Sequence, residues 1–284
     1  MTEIDNVAGL IIDMDGVLWH GNNPISGLTA FFAILREIKL PFVLATNNAS
    51  LTQQQYIDKL ASMGVEVTAD EILTSSMATA SYLNDHQPKE ERRVFVIGED
   101  GLREPLRTHG FILTDLYEVD RADNADSKGA DLVVTGLDRQ LTWDKLATAT
   151  LNIKQGAAFF ATNADTTLPT ELGDVMGNGG TIAALEAVTG VKAVSIGKPE
   201  PILYQQALAT LKTDLSNTIA IGDRLNTDIL GAVNAGIRSI LVLTGISTKQ
   251  ELQEVDYQPT WVMQDIEEIT AVLRHTFIDR INGE

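Results

Sequence analysis

The sequence contains no cysteine among its 284 residues. This absence excludes disulfide bonds, thiolate nucleophiles and zinc sites with sulfur ligands. Basic residues are also scarce, since 21 Lys and Arg stand against 39 Asp and Glu, for a formal net charge of −18. A protein that binds nucleic acid or an anionic membrane needs clustered Lys and Arg to neutralise phosphates. The sequence therefore predicts no nucleic-acid partner and no membrane partner.

Long hydrophobic runs are missing as well. No apolar stretch approaches the length of a membrane span, and residues 1–5 lack the basic start of a signal peptide. We therefore expect a cytoplasmic protein. With 44% hydrophobic and 21% charged residues the composition is that of an ordinary globular protein, and 284 residues are enough for two domains.

The most informative stretch is a short apolar strand that ends in two carboxylates. The run Leu10 to Ile12 is typical of a strand buried on both faces, and Asp13, Asp15 and Gly16 follow it. On a regular strand the two acids would leave the same face, where like charges repel unless a cation lies between them. Gly16 lets the chain turn and brings backbone N–H groups to the same place, where an anion could bind. Together these features suggest metal-assisted phosphate chemistry.

An Asp-x-Asp-Gly string also occurs in calcium-binding loops and in ordinary turns. A calcium loop continues with further acids and a bidentate Glu at its twelfth position. Here Val17, Leu18 and Trp19 follow, and they offer no such ligands. The sequence therefore disfavours a calcium loop. Neither Trp19 nor His20 enters a predicted site, since an isolated His is usually a surface or hydrogen-bonded residue.

The rest of the chain alternates apolar strands with helical patterns. Helices are predicted over 28–38, 52–63, 75–83 and 202–211, and strands at 42–46, 94–97, 132–135, 158–161, 218–221 and 239–244. This alternation is the pattern of an α/β fold, with a doubly wound parallel-sheet (Rossmann-like) core and an inserted smaller α/β domain. The predicted domain limits are 1-82 and 192-284 for the core and 83-191 for the insert, with a hinge in the polar stretch 84–91.

Polar side chains follow the strands predicted for the core. Thr46 and Asn47 end the second strand, Asp223 follows another, and Lys198 lies in a loop between strands. Singly, each has a structural explanation: a turn former, a helix N-cap or a solvated charge. In a doubly wound sheet, however, the carboxyl ends of the strands share one rim. There these residues would supply metal-binding acids, hydroxyl and amide donors and one cation.

Four stretches, in order, resemble the four motifs of the haloacid dehalogenase-like phosphohydrolases. They are Asp13-Met-Asp-Gly-Val17, the strand-final Thr46, Gly197-Lys198-Pro199 and Gly222-Asp223 with Asp228. Three further features are similar to the NagD-like, para-nitrophenyl phosphatase branch: the residues around Thr46, the Gly-Lys-Pro-Glu-Pro stretch and the large insert. That branch carries a mobile α/β cap of the C2 type as its insert, and the resemblance spans essentially the whole chain.

The resemblance implies a role for each motif residue. Asp13 would be the nucleophile that forms an aspartyl-phosphate, and Asp15 the acid that protonates the leaving group and then activates water. Mg²⁺ would be held by Asp13, by the backbone carbonyl of Asp15 and by Asp223, with Asp228 orienting metal-bound water. Thr46, the amide of Asn47 and Lys198 would position the phosphoryl oxygens.

The insert would supply selectivity if it closes over the substrate as such caps do. The best candidate is the loop that follows the strand 158–161, in which Asn163 and Asp165 could hydrogen-bond to a substrate. The alternative is that this loop, running from residue 163 towards Gly177, is only a long solvated connection.

The sequence thus predicts a Mg²⁺-dependent phosphomonoesterase that acts on a small phosphorylated metabolite, a sugar phosphate or a nucleoside monophosphate, with para-nitrophenyl phosphate as an artificial substrate. Two alternatives stay open: a phosphotransferase or phosphomutase with the same intermediate, and a non-catalytic phospho-accepting regulator. The exposed cap also offers a surface for a homodimer.

Overall fold

The structure is a computed structural model, and it describes residues 4–120, 128–170 and 172–279. The chain divides into two compact units. The first comprises residues 1–46, 54–73 and 198–284, and the second comprises 47–53 and 74–197. The domain limits predicted from the sequence, 1-82 and 192-284 for the core and 83-191 for the insert, stay a prediction. Within the described ranges no helix has the length and apolar composition needed to cross a bilayer.

The strands are short, as is usual for α/β proteins. In chain order they are β1 Gly9–Ile12, β2 Trp19–His20, β3 Asn23–Pro24, β4 Phe42–Thr46, β5 Ile72–Thr74, β6 Arg93–Ile97, β7 Ile112–Leu113, β8 Leu132–Thr135, β9 Ala158–Ala161, β10 Thr167–Thr170, β11 Gly173–Met176, β12 Val194–Ser195, β13 Thr218–Gly222, β14 Arg238–Val242 and β15 Trp261–Met263.

The helices alternate with the strands of the two larger sheets. They are α1 Leu28–Glu37, α2 Gln53–Ser62, α3 Ser75–His86, α4 Asp100–Thr108, α5 Trp143–Lys154, α6 Asn178–Thr189, α7 Pro201–Leu211, α8 Leu230–Ala235 and α9 Ile266–Arg274.

A six-stranded sheet carries the first unit, in the order β15-β14-β13-β1-β4-β5. The pairs β4-β1, β1-β13, β13-β14 and β14-β15 are parallel; at the centre Ile11 pairs with Val43 on one side and with Ala220 on the other. Every residue of β1, β4 and β13 is buried, because helices cover both faces of a doubly wound sheet. The carboxyl ends of these three strands therefore lie side by side at one edge.

A five-stranded parallel sheet carries the second unit, in the order β12-β9-β8-β6-β7. Its apolar core is built from both the sheet and the helices α5 and α6. The core cluster contains Phe95, Ile97, Val133, Ala149, Ile153, Ala157, Phe159, Ala161, Ile182 and Leu185. The predicted fold class, a doubly wound parallel core with an inserted smaller α/β domain, is confirmed by these two sheets.

The structure differs from the sequence-based prediction in three details. The helix predicted over 75–83 continues to His86 as α3, so the first part of the polar stretch 84–91 is helical. The loop from Asn163 towards Gly177 contains an antiparallel hairpin, β10-β11, whose turn uses Gly173 at φ 114. Finally, the strands predicted from the sequence end with 239–244, whereas β15 and α9 follow β14 in the structure. The hairpin lacks the alternating apolar pattern that marks a strand in sequence, because all of β11 is exposed.

Candidate active site

The site begins where the central strands of the first unit end. The backbone N–H of Asp13 donates to the carbonyl of Ile221 at 2.8 Å, so Asp13 continues the ladder one residue beyond β1. Asp223 directly follows the neighbouring strand β13. Carboxylate oxygens of Asp13, Asp223 and Asp228 all lie within 4.8 Å of one another, and all three side chains are buried. The structure thus brings together three of the acids predicted from the sequence.

Lys198 lies among these acids and is only 3% exposed. Its Nζ donates to Asp13 Oδ1 at 2.5 Å, to Asp228 Oδ1 at 2.6 Å and to the carbonyl of Ala45 at 3.0 Å. Burial alone would lower the pKa of this lysine, but attraction to Asp13 and Asp228 outweighs burial and raises the pKa well above its usual value. Lys198 is therefore a permanent cation at the end of β1.

One ammonium does not balance three buried carboxylates. Burial and repulsion from Asp228 and Asp223 raise the pKa of Asp13 well above its usual value, although attraction to Lys198 opposes them. Burial, followed by repulsion from Asp228, raises the pKa of Asp223 to about 6. A cluster with this excess of negative charge favours a divalent cation, which would offset the repulsion.

Asp223 is fixed in a way that suits metal binding. Its Oδ2 accepts the backbone N–H of Ile246 at 2.8 Å, whereas its buried Oδ1 has no hydrogen-bond partner in the described part of the chain. A Cβ added at Gly16 would lie 2.5 Å from Oδ2, and one added at Gly245 would lie 1.8 Å from it. A side chain at either position would push the Asp223 carboxylate out of its place, and the unpartnered oxygen is what a metal ligand requires.

Asp228 is held in a single turn of π-helix, Leu225–Ile229. Its Oδ2 accepts the backbone N–H of Arg224 at 3.1 Å, and its backbone carbonyl accepts the hydroxyl of Tyr204 at 2.8 Å. With Oδ1 bound to Lys198, both carboxylate oxygens already accept hydrogen bonds. This arrangement suits an acid that orients neighbouring groups. No motif in the sequence marks Tyr204, which lies at an ordinary apolar position of α7.

The remaining predicted residues of the first unit are Asp15 and Thr46. Asp15 is exposed, two residues beyond Asp13, and its Oδ1 accepts the indole N–H of Trp19 at 2.8 Å. Thr46 is the last residue of β4 and is 2% exposed. Its position at a strand end beside β1 is the one predicted from the sequence.

The other predicted residues form a separate cluster within the second unit. Asn47 donates from Nδ2 to both carboxylate oxygens of Asp165 at 3.3 Å, and its backbone carbonyl accepts Nδ2 of Asn163 at 2.7 Å. Asn163 also accepts the backbone N–H of Asp165 at 3.1 Å, and its own carbonyl accepts Nδ2 of Asn178 at 2.7 Å. Asn163 is buried and holds the loop, whereas Asp165 is half-buried.

Two family models match the chain. Residues 10–112 match the haloacid dehalogenase-like hydrolases, and residues 195–269 match a model described as HAD-hydrolase-like. The chain is 36% identical over 268 residues to the acid sugar phosphatase of Staphylococcus saprophyticus, covering 94% of this chain and 98% of that one. It is also 36% identical over 260 residues to the 5'-nucleotidase YutF of Bacillus subtilis, covering 92% and 96%.

A solved structure agrees with these relatives. NagD from E. coli K-12 superposes with a TM-score of 0.82 at 32% identity and covers 93% of this chain and 98% of that chain. The resemblance of the motifs at Asp13, Thr46, Lys198 and Asp223 is therefore confirmed at the level of the family. The chain belongs to the haloacid dehalogenase-like hydrolases and is a phosphatase of their NagD-like, para-nitrophenyl phosphatase branch.

Proposed function

We propose that the protein is a Mg²⁺-dependent phosphomonoesterase that hydrolyses small phosphorylated metabolites through an aspartyl-phosphate on Asp13. The observation that carries this proposal is the position of Asp13 at the end of β1, paired with the buried Lys198 and within reach of Asp223 and Asp228. A carboxylate in that position can attack phosphorus, while the lysine offsets the negative charge of the incoming phosphoryl group.

The reaction has two steps. In the first, a carboxylate oxygen of Asp13 attacks phosphorus, the ester P–O bond breaks, and Asp15 gives its proton to the leaving oxygen. In the second, Asp15 takes a proton from water, the water oxygen attacks the phosphorus of the aspartyl-phosphate, and inorganic phosphate leaves. Asp13 is regenerated and Asp15 is again protonated, so the sum is ester plus water to alcohol plus phosphate.

Asp13, the backbone carbonyl of Asp15 and Asp223 would hold Mg²⁺, with Asp228 orienting its water. When bound, the ion supplies charge that neutralises the phosphoryl oxygens. The unpartnered Oδ1 of Asp223 supports this assignment. Thr46, Asn47 and Lys198 would position the phosphoryl oxygens by hydrogen bonding.

The substrate class is a sugar phosphate or a nucleoside monophosphate. The names of the relatives, an acid sugar phosphatase and a 5'-nucleotidase, support this range. The test is a panel of sugar phosphates, nucleoside monophosphates and para-nitrophenyl phosphate, with released phosphate measured in Mg²⁺ and after chelation. Phosphate release that depends on Mg²⁺ is expected. No release from any ester, or full activity after exhaustive chelation, would contradict the proposal. Transfer of phosphate to an added alcohol in preference to water would instead identify a phosphotransferase.

Selectivity is assigned to Asn163 and Asp165, because the residues at the end of β1 all serve the phosphoryl group. Replacing both by Ala is expected to change the ranking of substrates more than it lowers turnover of para-nitrophenyl phosphate, which has few groups to lose. The single variant Asp165→Ala tests recognition of the substrate while it leaves in place the buried Asn163, which has a structural role. Asp174→Ala, at an exposed acid of β11, is the matched control. A single common factor for every substrate would show that this loop is only structural.

Mg²⁺ binding is expected to weaken as pH falls through the pKa of Asp223, which is about 6. Above that pH the carboxylate is charged and can bind the ion; below it, a proton competes with the metal, and the raised pKa of Asp13 acts in the same direction. Affinity should fall by at least about tenfold per pH unit below the pKa, because protons compete at both ligands. Calorimetric titration of Mg²⁺ into chelator-treated protein measures this, independently of activity. An affinity that stays constant from about pH 8 to about pH 5 would contradict this assignment of ligands.

A further inference from the structure

A tight turn follows the nucleophile and returns the chain to Asp15. The backbone N–H of Gly16 donates to the carbonyl of Trp19 at 2.8 Å, and the N–H of Leu18 donates to the carbonyl of Met14 at 2.8 Å. Gly16 adopts φ 82, which a residue with a side chain rarely takes. This turn places the indole of Trp19 beside the carboxylate four residues earlier, and Nε1 donates to Asp15 Oδ1 at 2.8 Å.

Asp15 and Trp19 differ sharply in their exposure to solvent. Asp15 is exposed, and an exposed carboxylate samples several rotamers unless something holds it. Trp19 is 0% exposed, so its ring is fixed by packing. The Nζ of Lys59, on α2, lies 4.1 Å from the ring centroid of Trp19. Burial lowers the pKa of Lys59, while attraction to Asp15 opposes that change. The hydrogen bond therefore joins an exposed acid to a buried donor.

This hydrogen bond favours one oxygen of Asp15 as the site of the proton. An indole N–H is a donor only, and the carbonyl oxygen of a carboxylic acid is a better acceptor than its hydroxyl oxygen. In the acid form of Asp15 the bond to Trp19 at Oδ1 therefore favours the proton on Oδ2. The same hydrogen bond can persist after the proton leaves, because Oδ1 is an acceptor in both forms.

We propose that Trp19 is a positioning residue for Asp15, holding its carboxyl group so that Oδ2 exchanges the proton with the leaving oxygen and then with water. This inference rests on the proposed phosphatase mechanism. In the first step, the O–H bond at Oδ2 breaks as the P–O ester bond breaks, and the proton goes to the leaving oxygen. In the second, Oδ2 takes a proton from the attacking water. Trp19 touches neither substrate nor phosphorus in this scheme.

The test uses two substrates of similar shape that differ in their need for a proton. Phenolate, whose conjugate acid has a pKa of about 10, leaves more easily when protonated, whereas the much less basic para-nitrophenolate leaves without a proton. The quantity compared is kcat/KM, because it covers only the steps up to loss of the leaving group. Trp19→Phe keeps an aromatic ring and removes the N–H donor. His20→Ala, at the exposed neighbour, is the control.

Trp19→Phe is expected to lower kcat/KM for phenyl phosphate about tenfold and for para-nitrophenyl phosphate by no more than about twofold. His20→Ala should change neither value. If a thermal melt shows that Trp19→Phe does not fold, Trp19→Met replaces it, because Met fills irregular apolar space without an N–H donor. Equal losses on both substrates, or no loss on phenyl phosphate, would overturn the inference. Failure of the wild type to hydrolyse either ester would instead refute the proposed function.

Discussion

Replacing Asp13 by Asn is expected to lower turnover of every phosphate ester by at least about a thousandfold, which corresponds to about 4 kcal/mol in barrier height. The reason is chemical, because a neutral amide is a poor nucleophile toward phosphorus and a poor ligand for a divalent cation. Asn has almost the same volume as Asp, and its side-chain oxygen can still accept the hydrogen bond from Lys198. The fold should therefore persist, which a thermal melt will check.

The matched control is Asp58→Asn, an exposed acid of α2 that hydrogen-bonds to Gln54 within the same helix. This variant should retain the wild-type rate. Asp13→Asn protein that keeps more than a trace of activity, after any deamidation has been excluded by mass spectrometry, would show that Asp13 is not the nucleophile.

Lys198→Met is expected to lower kcat/KM for all substrates by one common factor of about a hundred to a thousand. Met keeps the length of the side chain but removes the ammonium that pairs with Asp13 and Asp228. The loss should be uniform, because the charge acts at the phosphoryl group that all substrates share. Since the lysine is buried, removing it also leaves two carboxylates without their partner, and the free energy of unfolding should fall by about 3–5 kcal/mol at neutral pH.

Lys192→Met provides the control for this variant. Lys192 pairs with Glu186, but 85% of its side chain is exposed, and surface pairs of this kind contribute little to stability. The free energy of unfolding of the two variants should be measured with Mg²⁺ present and absent, because the ion offsets part of the repulsion between the carboxylates that Lys198 otherwise relieves. Losses that differ widely between a sugar phosphate and para-nitrophenyl phosphate would assign Lys198 to recognition of the leaving group and contradict its proposed role.

The strand ends that carry the candidate site could be predicted from the sequence, because the residues that mark each of them are neighbours in the chain. The strand Phe42–Thr46 has the bounds that were predicted, and β1 differs by one residue. Buried parallel strands are continuous apolar runs, and the polar residues that end them are visible in the sequence. Asp13 and Asp223 are visible at these strand ends, and Lys198, in a loop between strands, is visible from its motif.

What the sequence did not show depends on contacts between distant segments. Gly245 lies against Asp223 because β14 runs parallel to β13, and nothing in the neighbouring sequence marks that approach. The pairing of the Lys198 ammonium with Asp13 and Asp228 is likewise a contact between distant segments that the sequence did not show. Trp19 enters no site predicted from the sequence, because its hydrogen bond to Asp15 depends on a turn whose geometry only the structure gives.

In the proposed mechanism the phosphoryl group is transferred to Asp13 before water releases it, and trapping of the phosphoenzyme detects that intermediate. Wild-type protein is mixed with a ³²P-labelled substrate in Mg²⁺, quenched in acid within the first turnover, digested and mapped. We expect up to one label per chain, on the peptide that contains Asp13, released by hydroxylamine and absent from Asp13→Asn protein. Steady release of phosphate without label on Asp13 at any time, or label on another residue, would refute Asp13 as the nucleophile.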